Sequence, residues 1–291
     1  RPGGVDRLGI GYEAVQKINP RIVYCSITGY GQTGPWANYA GHDLNYTAMT
    51  GLLAQNGLPE GVPVIPDFQI GDLLGGSLTS LVGVLIAVIG AKATGQGCHV
   101  DVAMADAILA HSILPLAATQ TAEGLAPNGE GDLTGASPGY RVYATSDNRY
   151  LAICAIEPKF WQTLCVAVGL PALAKLDMTN AAEMKSAREA MAAVIKTQPL
   201  TYWEKTLVPL DCCVTPVLRL DEAVKHPQFV ARQVVVDEGG LRQNAPPFKL
   251  SHWPPTDMRP AVAAGADSAA ALQAVGYSAD DIETLRRDGV I

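Results

Sequence analysis

The sequence predicts a mixed α and β fold in two parts: a helix-rich first part and an α+β second part, separated by a Gly/Pro/Asn-rich stretch at 124–139. Three observations carry this. Short β-branched and aromatic runs in the first part, such as "RIVYCSITGYG", are outnumbered by longer apolar or amphipathic runs of helical character. The second part opens on a hairpin pattern, "GYRVYATSDNRYLAICAI", with turn residues at Asp147 and Asn148. The chain has 291 residues, 48% of them hydrophobic, which is enough for one large core or two smaller ones.

Taken in order, "YEAVQKINP" is predicted as a helix stopped by Pro20, and "RIVYCSITGYG" as a strand ended by glycines. "GQTGPWANYAG" is a loop, and "HDLNYTAMTGLLA" a short amphipathic helix. After a Pro-rich loop, an apolar helix runs from about Gly71 to Thr94. "GCHVDVAMADAILAHSILPLAA" is a strand leading into a helix. Beyond the hairpin, "EPKFWQTLCVAVGL" starts a helix at Glu157, with Pro158 suited to the first turn. "NAAEMKSAREAMAAVIKT" and "LTYWEKTLV" are helices, "CCVTPVLRL" a strand, "DEAVKHPQFV" a helix, "QVVVDEG" a strand and "ADDIETLRRDG" a final helix. An Ala-rich patch at 261–273 is expected on the surface.

Charged residues are 17% of the chain, which is low. Part of the surface is therefore expected to be covered by a partner subunit. The net charge of -7 gives no general attraction to nucleic acid or an anionic membrane. From Leu73 to Ala91 no residue is charged, so a membrane span must be weighed. Gly75, Gly76, Ser77, Thr79 and Ser80 lie within it, and no second span or aromatic belt accompanies it. A buried core helix is the expectation. The six cysteines form no CxxC pair and mostly sit in apolar stretches. They read as small buried residues in a reducing compartment, and no zinc spacing, P-loop or GxSxG motif is present. The chain opens on "RPGG" rather than Met, and further N-terminal sequence is expected before it.

A few polar residues stand in apolar settings. His42 and Asp43 open a helix, Asp72 opens the long apolar one, and Glu157 follows an apolar strand and opens another. Each alone is compatible with helix capping. Together they are compatible with an enzyme or a binding protein, acid–base chemistry on an anionic ligand being one reading, because helix N-termini favour anions.

The stretches "RPG…DRLG", "INPRIVYCSITGYGQTGP", "GHDLNY", "IGDLLGGS", "TGQGCHVDVAMAD", "YLAICAIEPKFW" and "DCCVTPVLRLDEA" follow one another from residue 1 to 223. In that order they resemble the class III CoA-transferase superfamily (CaiB/BaiF type), and within it the α-methylacyl-CoA racemase branch. The resemblance implies an α/β large domain with a Rossmann-like sheet, a smaller α+β domain, and two chains interlocked as a homodimer. Mapped on this chain, the large domain is expected at 1–123, N-terminally shortened. A linker follows at 124–139, the small domain at 140–223, and a C-terminal segment at 224–291 returns to the large domain.

The same resemblance implies an acyl-CoA substrate, with coenzyme A as part of it, and no prosthetic group or metal. His42 and Asp72 would flank the α-carbon, and Glu157 would pair with the histidine. Arg7 would lie near the CoA phosphates, and Gly41, His42, Asp43, Leu44, Asn45 and Tyr46 along the thioester. A cytoplasmic location is expected. In the transferase branch the residue matching Asp72 is a nucleophile, and a histidine before the aspartate is usually lacking. The chemistry agrees with the racemase reading. Removing a thioester α-proton needs a base near neutral pKa and stabilisation of the enolate oxygen. His42 suits that range, and Asp72 offers a second acid/base for the opposite face. A CoA transferase using Asp72 as nucleophile is the alternative, and a non-catalytic CoA-binding protein a third reading.

Overall fold

A computed structural model describes residues 1–58, 61–238, 240–253 and 262–291. It divides into two compact units, Arg1–Val217 and Leu218–Ile291.

The first unit begins with a parallel pair, β1 (Val23–Thr28) and β2 (Cys98–Ala103), in register from Val23 opposite Cys98 to Thr28 opposite Ala103. A parallel pair needs a long crossover. Here the crossover carries the Asp43–Met49 helix and a continuous helical run from Gly71 to Thr94. Glycines let these parts meet. A Cβ on Gly29 would lie 2.4 Å from the Tyr46 ring, and one on Gly97 would lie 1.8 Å from the Ile22 carbonyl oxygen. The helical run ends at Gly95, whose φ of 79° is the left-handed C-terminal cap.

Two expectations for that run need correcting. Its first part, Gly71–Leu78, is a π-helix, and only Thr79–Thr94 is α-helical. It is also not a buried core helix. Leu85, Ile86 and Ile89 are 53%, 66% and 68% exposed. The reason is geometric: the parallel sheet has two strands among the described residues, so it covers only one face of an apolar helix. The run is long and apolar enough to cross a membrane by length and composition.

Local breaks divide other predicted elements. The helix after β2 is two pieces, Met104–His111 and Ile113–Ala118, joined at Ser112. Pro115 has no N–H to give the His111 carbonyl, so the ladder cannot continue. The second sheet is antiparallel, in the order β3 (Tyr140–Ala144), β4 (Tyr150–Cys154), β5 (Val214–Pro216). The β3–β4 turn is as predicted, with Asn148 left-handed at φ 57°. β5 is shorter than "CCVTPVLRL" suggested. Cys213 is left-handed at φ 57°, and Pro216 offers no N–H to a neighbouring strand.

The main core forms where the Pro158–Ala167, Ala181–Ile195 and Leu200–Leu207 helices pack on this sheet. Leu151, Leu164, Met191, Ile195 and Leu207 are wholly buried, each contributing about 1.5–3 kcal/mol by removal from water. Both core tryptophans satisfy their ring N–H: Trp161 donates to the Leu173 carbonyl at 2.8 Å and Trp203 to that of Ile195 at 2.9 Å. Between the two sheets, the Gly-rich stretch contains one wide turn, Asp132–Ala136. Arg141 and Arg188 hold it by donating to the Gly135 and Ala136 carbonyls.

The cysteines differ from expectation. Cys165 and Cys212 are buried, but Cys98 and Cys154 are exposed and Cys25 and Cys213 half-buried; none is in a disulfide.

In the second unit, "DEAVKHPQFV" is two short helices, Leu220–Ala223 and Pro227–Ala231, because Pro227 forces His226 into extended backbone (ψ 135°). A hairpin follows, β6 (Val235–Glu238) with β7 (Leu241–Asn244). The Ala-rich patch forms the Ser268–Ala274 helix with no buried residue; residue 261 lies outside the described residues. The Ala279–Arg287 helix is capped by Ser278.

Candidate active site

His42 sits where extended backbone (φ −129°, ψ 177°) turns into the Asp43–Met49 helix. A histidine here can cap the helix with a ring nitrogen or leave the ring free for chemistry. The capping is done elsewhere. Asn45 Oδ1 accepts from the His42 N–H at 3.0 Å, and the His42 carbonyl accepts from the Asn45 and Tyr46 N–H groups at 2.8 and 3.3 Å. The imidazole makes no capping hydrogen bond, and the residue is exposed.

Asp43 reaches across the crossover. Its Oδ1 accepts from the backbone N–H of Gly71 at 2.6 Å and of Asp72 at 3.1 Å. Residues 29 apart in sequence are thus joined by one carboxylate. The Asp72 side chain is exposed at the start of the π-helix. π-Helical turns are rare and recur at functional sites. Gly75 and Gly76 let this one lie against the β2–helix junction: a Cβ on Gly75 would stand 2.8 Å from the Met104 carbonyl oxygen, and one on Gly76 3.2 Å from the Met104 sulfur.

Tyr46 braces the floor below. It is 5% exposed, donates to the Gly41 carbonyl at 2.5 Å, and meets Tyr30 edge-on at 5.2 Å between ring centres. Gly41 must be glycine on packing grounds, since a Cβ would fall 2.7 Å from the Tyr46 ring and 2.8 Å from the Tyr30 hydroxyl. Burial raises the pKa of the Tyr46 phenol, and the charges of Tyr30, Asp72 and Asp43 raise it further. Asp43 and Asp72 therefore lie in one electrostatic neighbourhood around this ring.

Leu44 follows Asp43 on the same helix and is 40% exposed. Arg7 is exposed at the end of the Gly4–Arg7 turn. Glu157 is the N-cap residue of the Pro158–Ala167 helix, in extended backbone (φ −78°, ψ 140°), with no capping bond from its side chain. Its carbonyl accepts from Phe160 and Trp161 N–H, both at 3.0 Å. Within the single chain Glu157 makes no hydrogen bond to His42. Its charge is felt at Cys213, whose thiol pKa is raised first by desolvation and then by the charges of Glu157, Asp211 and Cys154, with Lys159 opposing.

Sequence reasoning missed the structural tie made by Asp43 and the role of Tyr30. The only sequence signal for the first is that Asp43 follows His42 directly. A cavity of about 430 Å³, lined among others by Leu58, Leu133, Tyr140, Arg141, Ile153 and Cys154, does not include His42, Asp72 or Glu157. His42 and Asp72 are both exposed on the chain. Among the described residues no cluster of three or more His, Cys, Asp or Glu side chains is arranged to hold a metal. What remains is an imidazole and a carboxylate without a hydrogen-bond partner among the described residues, on two elements tied by the Asp43 side chain. Such a pair can move protons, or attack an electrophile through the carboxylate.

Comparison with known proteins gives the frame. A family model described as CoA-transferase family III matches residues 1–268. Acetyl-CoA:oxalate CoA-transferase of Acetobacter aceti is 32% identical over 282 residues, 94% of this chain and 71% of that protein. Alpha-methylacyl-CoA racemase of Homo sapiens is 28% identical over 293 residues, 100% of this chain and 77% of that protein. The crystal structure of a CAIB/BAIF family protein from Brucella suis matches with a TM-score of 0.74 at 26% identity, over 87% of this chain and 67% of that one.

Proposed function

The chain belongs to CoA-transferase family III, and we propose that within this family it is an α-methylacyl-CoA racemase or epimerase. It moves the α-proton of an acyl-CoA off and back through an enolate. The observation that carries this reading is the uncommitted imidazole of His42, held on an element that is hydrogen-bonded to the backbone of Asp72.

His42 takes the α-proton on one face and Asp72 returns one on the other. Run in the opposite direction, Asp72 is the base and His42 the acid. The Asp43 and Leu44 N–H groups, which take no acceptor among the described residues outside the helix, are available to the enolate oxygen. Coenzyme A enters as part of the substrate, and no prosthetic group is needed for a proton transfer of this kind. We assign Arg7 to the CoA phosphates and the Gly41–Tyr46 segment to the thioester.

Both reacting groups are exposed in the single chain, whereas proton transfer to an enolate is favoured where water is excluded. We infer that the active unit is an interlocked homodimer in which Glu157 of the partner subunit approaches His42. The absence of a His42–Glu157 bond within one chain and the uncovered apolar helix support this. Light scattering on the full chain at micromolar concentration should give a dimer, and a monomer would refute it. Six cysteines without a disulfide support a reducing, cytoplasmic setting.

A second reading has its own support. The 32%-identical relative is named a CoA transferase, and Asp72 is a free carboxylate suited to attack a thioester carbonyl. The Asp72 oxygen would bond to the acyl carbon, the C–S bond would break, and CoA would leave as a thiolate. Incubation with a lone 2-methylacyl-CoA in deuterium oxide separates the two. A racemase incorporates deuterium at the α-carbon without any acceptor acid. No incorporation, with CoA transfer appearing once an acceptor acid is added, would overturn the racemase reading.

A further inference from the structure

We propose that Asp43 is a positioning residue: its carboxylate fixes where Asp72 stands relative to His42, and so governs the proton transfer on the Asp72 face. The proposal rests on the racemase reading above.

One oxygen of Asp43 receives the N–H groups of both Gly71 and Asp72, at 2.6 and 3.1 Å. A helix start leaves its first N–H groups without partners, and a charged acceptor satisfies them more strongly than a neutral one. Gly71 is buried, and a Cβ there would lie 2.9 Å from the Asp43 oxygen, 3.3 Å from Ile108 Cδ1 and 3.4 Å from Tyr46 Cδ2. The Asp72 side chain is exposed and accepts no hydrogen bond among the described residues, so its place is set by its backbone. Asp43 follows His42 directly in sequence. The path from one reacting group to the other is therefore one peptide bond, one short side chain and one pair of hydrogen bonds. The His42 side of the pair is held independently, by Asn45 on the His42 N–H and by the Tyr46–Gly41 brace.

This arrangement makes the two faces of the reaction unequally sensitive to Asp43. In a two-base racemase each base removes the α-proton of one enantiomer. Loss of the Asp43 tie displaces Asp72 and leaves His42 in place. Deprotonation of one enantiomer should suffer more than that of the other.

The test measures initial deuterium incorporation from each enantiomer of a 2-methylacyl-CoA separately, with the full chain. Asp72→Asn first identifies the enantiomer whose proton faces Asp72. Asp43→Ala should slow exchange of that same enantiomer by about 10–100-fold, the scale on which an ångström of misplacement acts. Exchange of the other should fall less, because its base, His42, keeps supports of its own in Asn45 and the Tyr46–Gly41 contact. Asp43→Asn should restore most of the lost rate, because its amide oxygen still accepts both N–H groups. Asp43→Glu keeps the charge but lengthens the arm, and should show the same unequal loss; it serves if the alanine variant folds poorly. Equal loss for both enantiomers, or an asparagine variant as slow as the alanine one, would overturn the proposal. Wild-type chain that exchanges neither enantiomer would overturn the racemase reading, and the proposal with it.

Discussion

The β1–β2 region and the β3–β5 region lie in one unit but are built differently. Around β3–β5 the chain encloses its own core: Leu151, Leu164, Ile195 and Leu207 have no exposed surface. Around β1–β2 the buried residues are few, chiefly Tyr46, Ala105 and Ile108, and the long helix leaves Ile86 and Ile89 about two-thirds exposed (66% and 68%). The glycines differ in the same sense. Gly29, Gly41, Gly71 and Gly75 are each crowded by Tyr46, Tyr30, Asp43 or Met104. The first region thus uses close backbone approach to hold reacting groups at an open surface. The second uses volume-filled packing for stability.

If the division holds, the two regions should respond to mutation on separate axes. The largest expected effect is catalytic. Asp72→Asn keeps shape and removes a proton-accepting charge on an exposed side chain. Turnover should fall by about 10²–10⁴-fold, with the melting temperature unchanged. A normal rate would remove Asp72 from either mechanism. His42→Asn belongs with it. Asparagine caps helices well, so a capping role would survive and a base would not.

The reverse dissociation comes from Leu207→Ala. Opening a cavity at a wholly buried site costs about 2–5 kcal/mol. Denaturant unfolding should show this loss, while the activity per folded molecule stays close to normal. A matching fall in specific activity would show that the two regions are coupled. Gly41→Ala tests the crowding directly. The added methyl must displace Tyr46 or Tyr30, at about 1–3 kcal/mol for overpacking, and it should lower both stability and rate. A neutral result would mean that the brace yields freely.

The smallest effect lies at the β3–β4 turn. Asp147 is held below the usual carboxylate range, first by the Thr145 hydroxyl and then by backbone N–H groups including that of Leu200. A lowered native pKa gives stability that is present at neutral pH and lost as pH falls through that pKa. Thr145→Val should flatten this acid-side dependence in a pH series of melts. An unchanged profile would remove the hydroxyl from the account.

Much of this was legible in the residues. The turn at Asp147–Asn148, the strand ended by Gly29 and the helix opened by Pro158 follow from local rules about positive φ, β-branching and fixed proline geometry. His42, Asp72 and Glu157 stood out as polar residues at apolar helix starts, and their roles were suggested by an ordered resemblance. The breaks at Ser112 and at His226–Pro227 were also local, carried by Pro115 and Pro227.

What sequence determined by itself was therefore the alternation of elements, the turn chemistry, the low charge and the set of titratable candidates. These depend on interactions within a few residues along the chain. Tertiary structure alone decided the rest. Whether the Leu73–Ala91 run is buried depends on how many strands lie beside it. Gly71–Leu78 is π-helical where Gly75 and Gly76 meet Met104, a contact made across the fold. That the Asp43 side chain takes the N–H groups of Gly71 and Asp72, 28 and 29 residues away, is the outcome of competition for a few backbone N–H groups. Which acceptor reaches them is decided in space, by elements brought together through the β1–β2 pairing.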